Sequence, residues 1–367
     1  MTAATAAPPV AGGIRTTNTL AAGRLPRGTA WMVLGGSLII SAAFFVLLAL
    51  ADVTADFNIV GAVLAGTILF DVVLYVASRI VEGSRRALDR LVTSLVSTAF
   101  IIALLPLISL VWTVLTNGLA RMDVSFFTQS MRNIVGEGGG ALHAIIGTLL
   151  ITLMTALISV PIGLLTSIYL VEYGRGPLAK AITFLVDVMT GIPSIVAGLF
   201  TFALFALLVG PAVRNGFMGA IALSVLMIPV VVRSSEEILR LVPNELREAS
   251  YALGVPKWLT ILKIVLPTSL AGIVTGVMLA IARVIGETAP LLLVTGFTFS
   301  MNYNLFSDRM MTLPVFVYTQ YTQAAGVSAQ ASIDRAWTAA LTLILIVMAL
   351  NLIGRLIAKI FAPKRGL

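Results

Sequence analysis

The chain has 367 residues, 59% apolar and only 11% charged, whereas soluble domains average roughly 45–50% apolar and about 25% charged. That excludes an ordinary soluble domain and indicates an integral membrane protein. The net charge of +8 comes without a long basic run interleaved with aromatics, so it reads as a membrane-topology signal rather than a nucleic-acid footprint.

No cysteine is present and His143 is the single histidine, so thiolate sites are excluded and no metal or other cofactor is expected. Residues 1–29, rich in Ala, Pro, Thr and Gly, cannot form a core and are expected to be a disordered cytoplasmic segment. Ala49-Leu50-Ala51 mimics a signal-peptidase site, but the apolar run from Trp31 to Leu50 exceeds the usual ~7–15-residue signal core. It is read as a retained helix.

Stretches of about 20 apolar residues can cross a bilayer as helices. They fall near 31–50, 57–78, 92–116, 142–170, 181–209, 216–232, 265–298 and 336–360, which predicts an all-α polytopic protein of about eight spans. With the N-terminus inside, eighteen Lys and Arg residues lie in inner segments against five in outer ones: Arg121, Arg132, Arg214, Arg309 and Arg335. This obeys the positive-inside rule and places both termini in the cytoplasm of a cell-membrane protein.

The organisation expected is an accessory hairpin over 30–91 facing lipid, a span with an external loop over 92–141, a core over 142–355, and a basic tail over 356–367. In the outer segment 117–141, Gly136, Gly138, Gly139 and Gly140 suggest a flexible or sharply turning link. In the outer segment 299–335, Tyr303, Phe306, Phe316, Tyr318 and Tyr321 read as an interfacial belt or as a surface for an external partner.

The longest inner segment runs "RSSEEILRLVPNELREASYALGVPKWLTILKI" over 233–264. Ser234 and Glu237 fit a capping box, and Pro243 suits the first turn of a following helix. Leu246, Ala249, Ser250 and Leu253 share a face at helical spacing. Gly254 is placed to end that helix in a left-handed conformation, and Pro256 to start the next. The whole predicts helix, glycine turn, helix at the inner surface.

Glu248-Ala249-Ser250, Gly254, Ile264, Leu266 and Pro267 follow the pattern EAA---G---------I-LP, with serine for the third alanine. The chain therefore resembles the binding-protein-dependent ABC importer permeases over about 142–355, while 1–91 lies outside that family's common core. Such a resemblance implies a type I permease fold whose helix–turn–helix docks into an ATP-binding subunit. The run "RVIGETAPLL" at 283–292 further resembles the phosphate-importer branch. It implies a PstC-like second permease subunit, a PstB-like ATPase dimer inside and a PstS-like phosphate-binding protein outside.

Arg283 and Glu287 lie inside an apolar stretch, where ionisable residues are functional candidates by default. At i,i+4 on one helix they are expected to face together and pair. Arginine presents a permanent planar donor array suited to phosphate oxygens. Arg283 is thus the leading anion ligand and Glu287 its counterweight; the other reading is that the two only neutralise one another or bond a neighbouring subunit. Thr288 and Thr190 offer further hydroxyls, though threonines in membrane helices more often bond their own backbone.

Arg233 is both a membrane-edge anchor and, through the resemblance, a path residue. Asp187 is read as a subunit contact in the first turns of its span, and Gly191, Pro193 and Pro290 as bends. No G-x-x-x-x-G-K-[ST] loop or catalytic constellation occurs, so the chain is read as a non-catalytic subunit. Competing readings are a permease for another anion such as a phosphonate, the sister subunit, and a stand-alone secondary transporter.

Overall fold

A chain this apolar has to satisfy its backbone polar groups internally, which helices do. The computed structural model describes residues 25–26, 28–51, 57–134, 136–211 and 213–361, and every regular element among them is helical. Residues 1–24, 27 and 362–367 carry most of the expected N-terminal disorder and part of the basic tail. Those expectations lie outside the described residues. Among the described residues, seven helices are long and apolar enough to cross a membrane, or eight if one bent pair is a single span.

The chain divides into two compact units, 1–110 and 111–367. In the first, α1 (Thr29–Leu50) packs on α2 (Ile59–Val81). Ser41 Oγ donates to the Ala62 carbonyl at 2.7 Å, satisfying a buried hydroxyl at the seam. Trp31, Ile39, Leu50, Ile68 and Ile80 remain exposed. Glu82 follows α2, and α3 (Ser84–Gly118) runs on past the division between the units.

The second unit continues with α4 (Val124–Thr128), α5 (Leu142–Ile168), α6 (Pro177–Thr190), α7 (Ser194–Leu208) and α8 (Gly216–Arg240). Then come α9 (Asn244–Ala252), α10 (Lys257–Thr260), α11 (Leu266–Val284), α12 (Ala289–Val294), α13 (Leu313–Thr322) and α14 (Ala329–Phe361). Single π-helical turns extend α5 over Tyr169–Tyr173 and join α10 to α11 over Ile261–Val265. Helices α5 and α8 pack along each other, and α11 lies against α8 and α14. Their shared core includes Ile151, Leu223, Met227, Leu291, Met311 and Phe316.

Several predicted spans differ from the observed helices, and α3 and α14 begin eight and seven residues earlier than expected. The stretch 181–209 is the bent pair α6–α7, turning through 109° at Gly191-Ile192-Pro193. The stretch 265–298 is interrupted between α11 and α12. The stretch 216–232 extends to Arg240 as one helix that carries Pro229 in its interior, and the Ser234–Glu237 capping box does not form. Ser234 is interior, and its hydroxyl donates back to the Val230 carbonyl at 2.8 Å.

Among the outer aromatics, Phe316 is fully buried and meets His143 edge-on at 5.4 Å, so it belongs to the core. Tyr303, Phe306, Tyr318 and Tyr321 are exposed. The glycine-rich segment turns sharply, with Gly136, Gly138 and Gly139 at positive φ. It is pinned by Arg335, which donates to the carbonyls of Gly136 and Gly138, and by Arg121, which donates to that of Gly139.

Candidate functional site

The α11–α12 break is set by two residues. Pro290 has no N–H to donate, and its ring would collide with the carbonyl four residues back, that of Gly286, if the helix continued. Gly286 itself adds backbone freedom at the same place. Arg283 therefore occupies the last turn of α11, while Glu287 and Thr288 lie beyond the helix end.

The expected Arg283–Glu287 pairing on one face is overturned, because the break falls between the two residues and not after them. Arg283 is exposed and Glu287 half-buried, and neither side chain has an ion pair or hydrogen bond among the described residues. Thr288 precedes α12, accepts from Leu292 N through its carbonyl at 2.9 Å, and makes no side-chain cap. Helix α7 closes on this point: a Cβ on Gly198 would lie 2.7 Å from Pro290 Cα. Thr190 donates to its own backbone at Val186 and is not a free donor.

Arg233 sits within α8. Its guanidinium donates to Asp187 of α6 and, at 2.9 Å, to Glu236 Oε2. Glu236 in turn accepts from Arg240 at 2.6 Å through Oε1. Asp187, in the last turn of α6 and not the first, thus has a partner within the chain. Ser234 abuts α11 where a Cβ on Gly276 would lie 2.7 Å from its hydroxyl. Seven residues separate Gly276 from Arg283, roughly 10 Å of helix at 1.5 Å per residue. Ser234, the neighbour of Arg233, thus meets α11 about two turns before Arg283, and no hydrogen bond or ion pair joins the two arginines among the described residues.

The helix–turn–helix forms as the sequence predicts. Gly254, at φ +76°, ends α9 with Val255 N donating to Ser250 O and Gly254 N to Tyr251 O, the two bonds of a Schellman motif. Ser250 is buried and its hydroxyl pairs with that of Thr260 at 2.8 Å, tying α9 to α10. Leu246, Glu248, Ala249 and Leu253 are exposed, and Trp258 and Leu262 add further uncovered apolar surface. Ile264 and Leu266 are half-buried and Pro267 is exposed, where the π turn passes into α11.

Sequence reasoning missed what holds this motif. Glu172, in the π turn after α5, accepts from Arg247 Nε at 3.0 Å and from a terminal guanidinium nitrogen at 2.8 Å. Arg247 also donates to the carbonyls of Val242 and Leu239. Lys257 donates to the Glu172 carbonyl and covers the Tyr173 ring at 4.8 Å. The one available signal was a lone carboxylate closing the apolar run of α5.

Residues 159–366 match the family described as "Binding-protein-dependent transport system inner membrane component". That match spans more than half the chain and includes the break, Arg233 and the helix–turn–helix. The chain belongs to this family. It is a multi-pass inner-membrane permease, as the EAA-type run suggested.

The permease is 46% identical over 286 residues to the phosphate transport system permease protein PstA 1 of Mycobacterium tuberculosis, covering 77% of this chain and 91% of that one. It is 40% identical to PstA of Pasteurella multocida, covering 77% and 97%. Its fold resembles a crystal structure of a bacterial alginate ABC transporter in complex with a periplasmic protein, with a TM-score of 0.53 at 14% identity, covering 79% and 100%.

Proposed function

We propose that the permease forms one half of the membrane path of an ATP-driven importer for inorganic phosphate. The similarity to PstA proteins over most of both chains carries this reading. Chemistry agrees with it. A phosphate anion in hydrocarbon faces a prohibitive desolvation cost and needs a fixed cation. Arg283, without an ion pair among the described residues and next to an interrupted helix, supplies one. A charge at that depth requires a partner, and substrate or the second permease subunit is the partner left.

Arg233 and Thr288 are assigned as further path residues. Arg233, held by Asp187 and Glu236, binds an incoming anion weakly, which favours release over retention. Glu287 flanks the break and tempers the net positive charge there without pairing to Arg283.

On the cytoplasmic side, α9 with Leu246, Glu248, Ala249 and Leu253 offers the exposed face on which a dimeric ATP-binding subunit docks, and that subunit hydrolyses the ATP. A second permease subunit completes the path, and a phosphate-binding protein delivers from outside. Both termini lie in the cytoplasm; residues 142–355 form the transport core and 30–91 an accessory hairpin.

The test is uptake of labelled phosphate by cells whose own importer has been deleted, with the permease expressed alongside its partner subunits. Saturable, ATP-dependent uptake is expected, competed by arsenate and not by a phosphonate. Equal competition by a phosphonate, or uptake by the permease alone, would overturn it.

A further inference from the structure

We infer that Arg214 and Arg309 form an anion-receiving site at the outer mouth of the path, where phosphate leaving the external binding protein is first held. The inference rests on the phosphate reading above. Both residues lie in segments that the distribution of basic residues places outside.

The two side-chain stems meet at one residue. At Gly296, which follows α12, a Cβ would lie 3.2 Å from Arg309 Cδ and 3.4 Å from Arg214 Cδ. Both stems therefore pack on the same backbone point. Each is carried by anchored chain. Arg214 precedes Asn215, which accepts from Met218 N at 2.9 Å and donates to the Phe306 carbonyl at 3.3 Å. Phe217 N donates to Leu305 O at 2.7 Å, and Met310 N, just after Arg309, donates to Thr295 O at 3.3 Å.

Neither guanidinium has an acidic partner among the described residues; Arg214 lies 5.9 Å from the Phe202 ring centroid, and Asp308 forms no ion pair with its neighbour Arg309. Two other outer arginines, Arg121 and Arg335, differ. Arg121 pairs with Asp123 at 3.0 Å, and Arg335 is spent on glycine carbonyls, Gln320 and Ser332.

Two neighbouring cations without an acid repel one another, and a bound anion relieves that repulsion. Their planar donor arrays suit phosphate oxygens. Location gives the site its direction. From Gly296 the chain leads back through the six residues of α12 to Thr288 and the break beside Arg283, roughly 10 Å of helix.

A docking contact for acidic residues of the binding protein is the other use of such charges. Convergence of both stems on one point, with Arg214 half-buried, suits one small anion better than a spread protein surface.

The experiment uses the complete transporter in proteoliposomes with phosphate-loaded binding protein. Wild type, Arg214→Gln/Arg309→Gln and the single Arg309→Glu are compared for phosphate uptake at low and high salt, and for binding-protein affinity. Loss of the focusing charge lowers uptake about tenfold or more and flattens its salt dependence. Affinity for the binding protein stays within about twofold, because the charges serve the anion and not the docking.

Wild-type uptake by the double variant overturns the inference, and so does binding-protein affinity falling in step with uptake. Should the double variant fail to assemble, Arg309→Glu, at an exposed position, decides: unchanged uptake overturns. A wild-type complex that moves no phosphate would instead refute the functional reading.

Discussion

Arg233 and Arg283 are both arginines on helices apolar enough to span a membrane, yet their surroundings are opposite. Arg233 lies between Asp187 and Glu236, and Glu236 also binds Arg240. Arg283 has no ionic partner among the described residues and is exposed at the end of α11. A compensated arginine is stable without substrate and binds an added anion weakly. An uncompensated one is costly in a membrane until something negative arrives. The contrast suggests a path with a strong site at the break and a weaker one at Arg233 of α8.

Replacing Arg283 tests the strong site and carries the largest effect. Arg283→Gln removes two charge-assisted hydrogen bonds to phosphate, each worth about 1.5 kcal/mol. At about 1.4 kcal/mol per decade, uptake falls roughly a hundredfold. Arg283→Lys keeps the charge but loses the fork, so its loss is smaller. Labelled-phosphate uptake normalised to assembled complex measures both. If Arg283→Gln transports like wild type while Arg233→Gln does not, the order of the two sites is reversed.

Glu172→Gln asks whether coupling is separable from the path. It strips the counter-charge from Arg247, whose side chain is only 12% exposed. Removing one partner of a buried pair destabilises by about 3 kcal/mol, concentrated where α9 meets the end of α5. ATPase stimulation by loaded binding protein should drop severalfold while basal hydrolysis persists, with partial rescue by Glu172→Asp. Unchanged stimulation would show that this clamp does not position the docking helix.

The parts of this arrangement that were readable from sequence are local. Gly254 ends α9 because a left-handed residue is needed there and glycine alone adopts it freely, and Pro193 forces the α6–α7 bend. The break between α11 and α12 had its signals, Gly286 and Pro290, in plain view. Hydropathy ran through both, and the break was expected one turn too late. That shift removed the Arg283–Glu287 pair.

Partners distant in sequence left no such trace. Arg247 and Glu172 are 75 residues apart, and Arg233 and Asp187 are 46 apart. In a single sequence, nothing local distinguishes an acid that will meet a given arginine from one that will meet lipid headgroups or another subunit. Phe316 was misplaced for a related reason: an aromatic near an apolar boundary looks alike in a belt and in a core.

Asp187→Asn weakens the compensation of Arg233 and so narrows the contrast between the two sites. Asp187 is largely exposed, and such ion pairs contribute only about 0.2–1 kcal/mol. Phosphate should then linger at the inner site, and uptake should fall about threefold or less, through kcat with KM little changed. A collapse as deep as that of Arg283→Gln would mean that Arg233 depends on Asp187 for its position and not only its charge.

The smallest effect on transport belongs to a third compensated arginine, in the N-terminal unit. Arg90 meets Glu82 through two bonds, of 2.6 and 2.8 Å, and Glu82 also accepts from Ser78 and from Leu25 N. Arg90, with those other donors, outweighs burial and holds the carboxyl at about 2, against an ordinary 4.5. A depressed pKa means that stability from this cluster is fully present above about 4.5 and is lost as pH falls towards about 2.

Glu82→Gln should therefore lower the melting temperature of the detergent-solubilised permease at pH 7, and the gap from wild type should close over that acid window. Phosphate uptake at pH 7 should stay near wild type, because this ion pair steadies a hairpin outside the proposed core. A transport defect as large as that of Asp187→Asn would instead tie the hairpin to the path, and compensation alone would no longer separate structural arginines from substrate-facing ones.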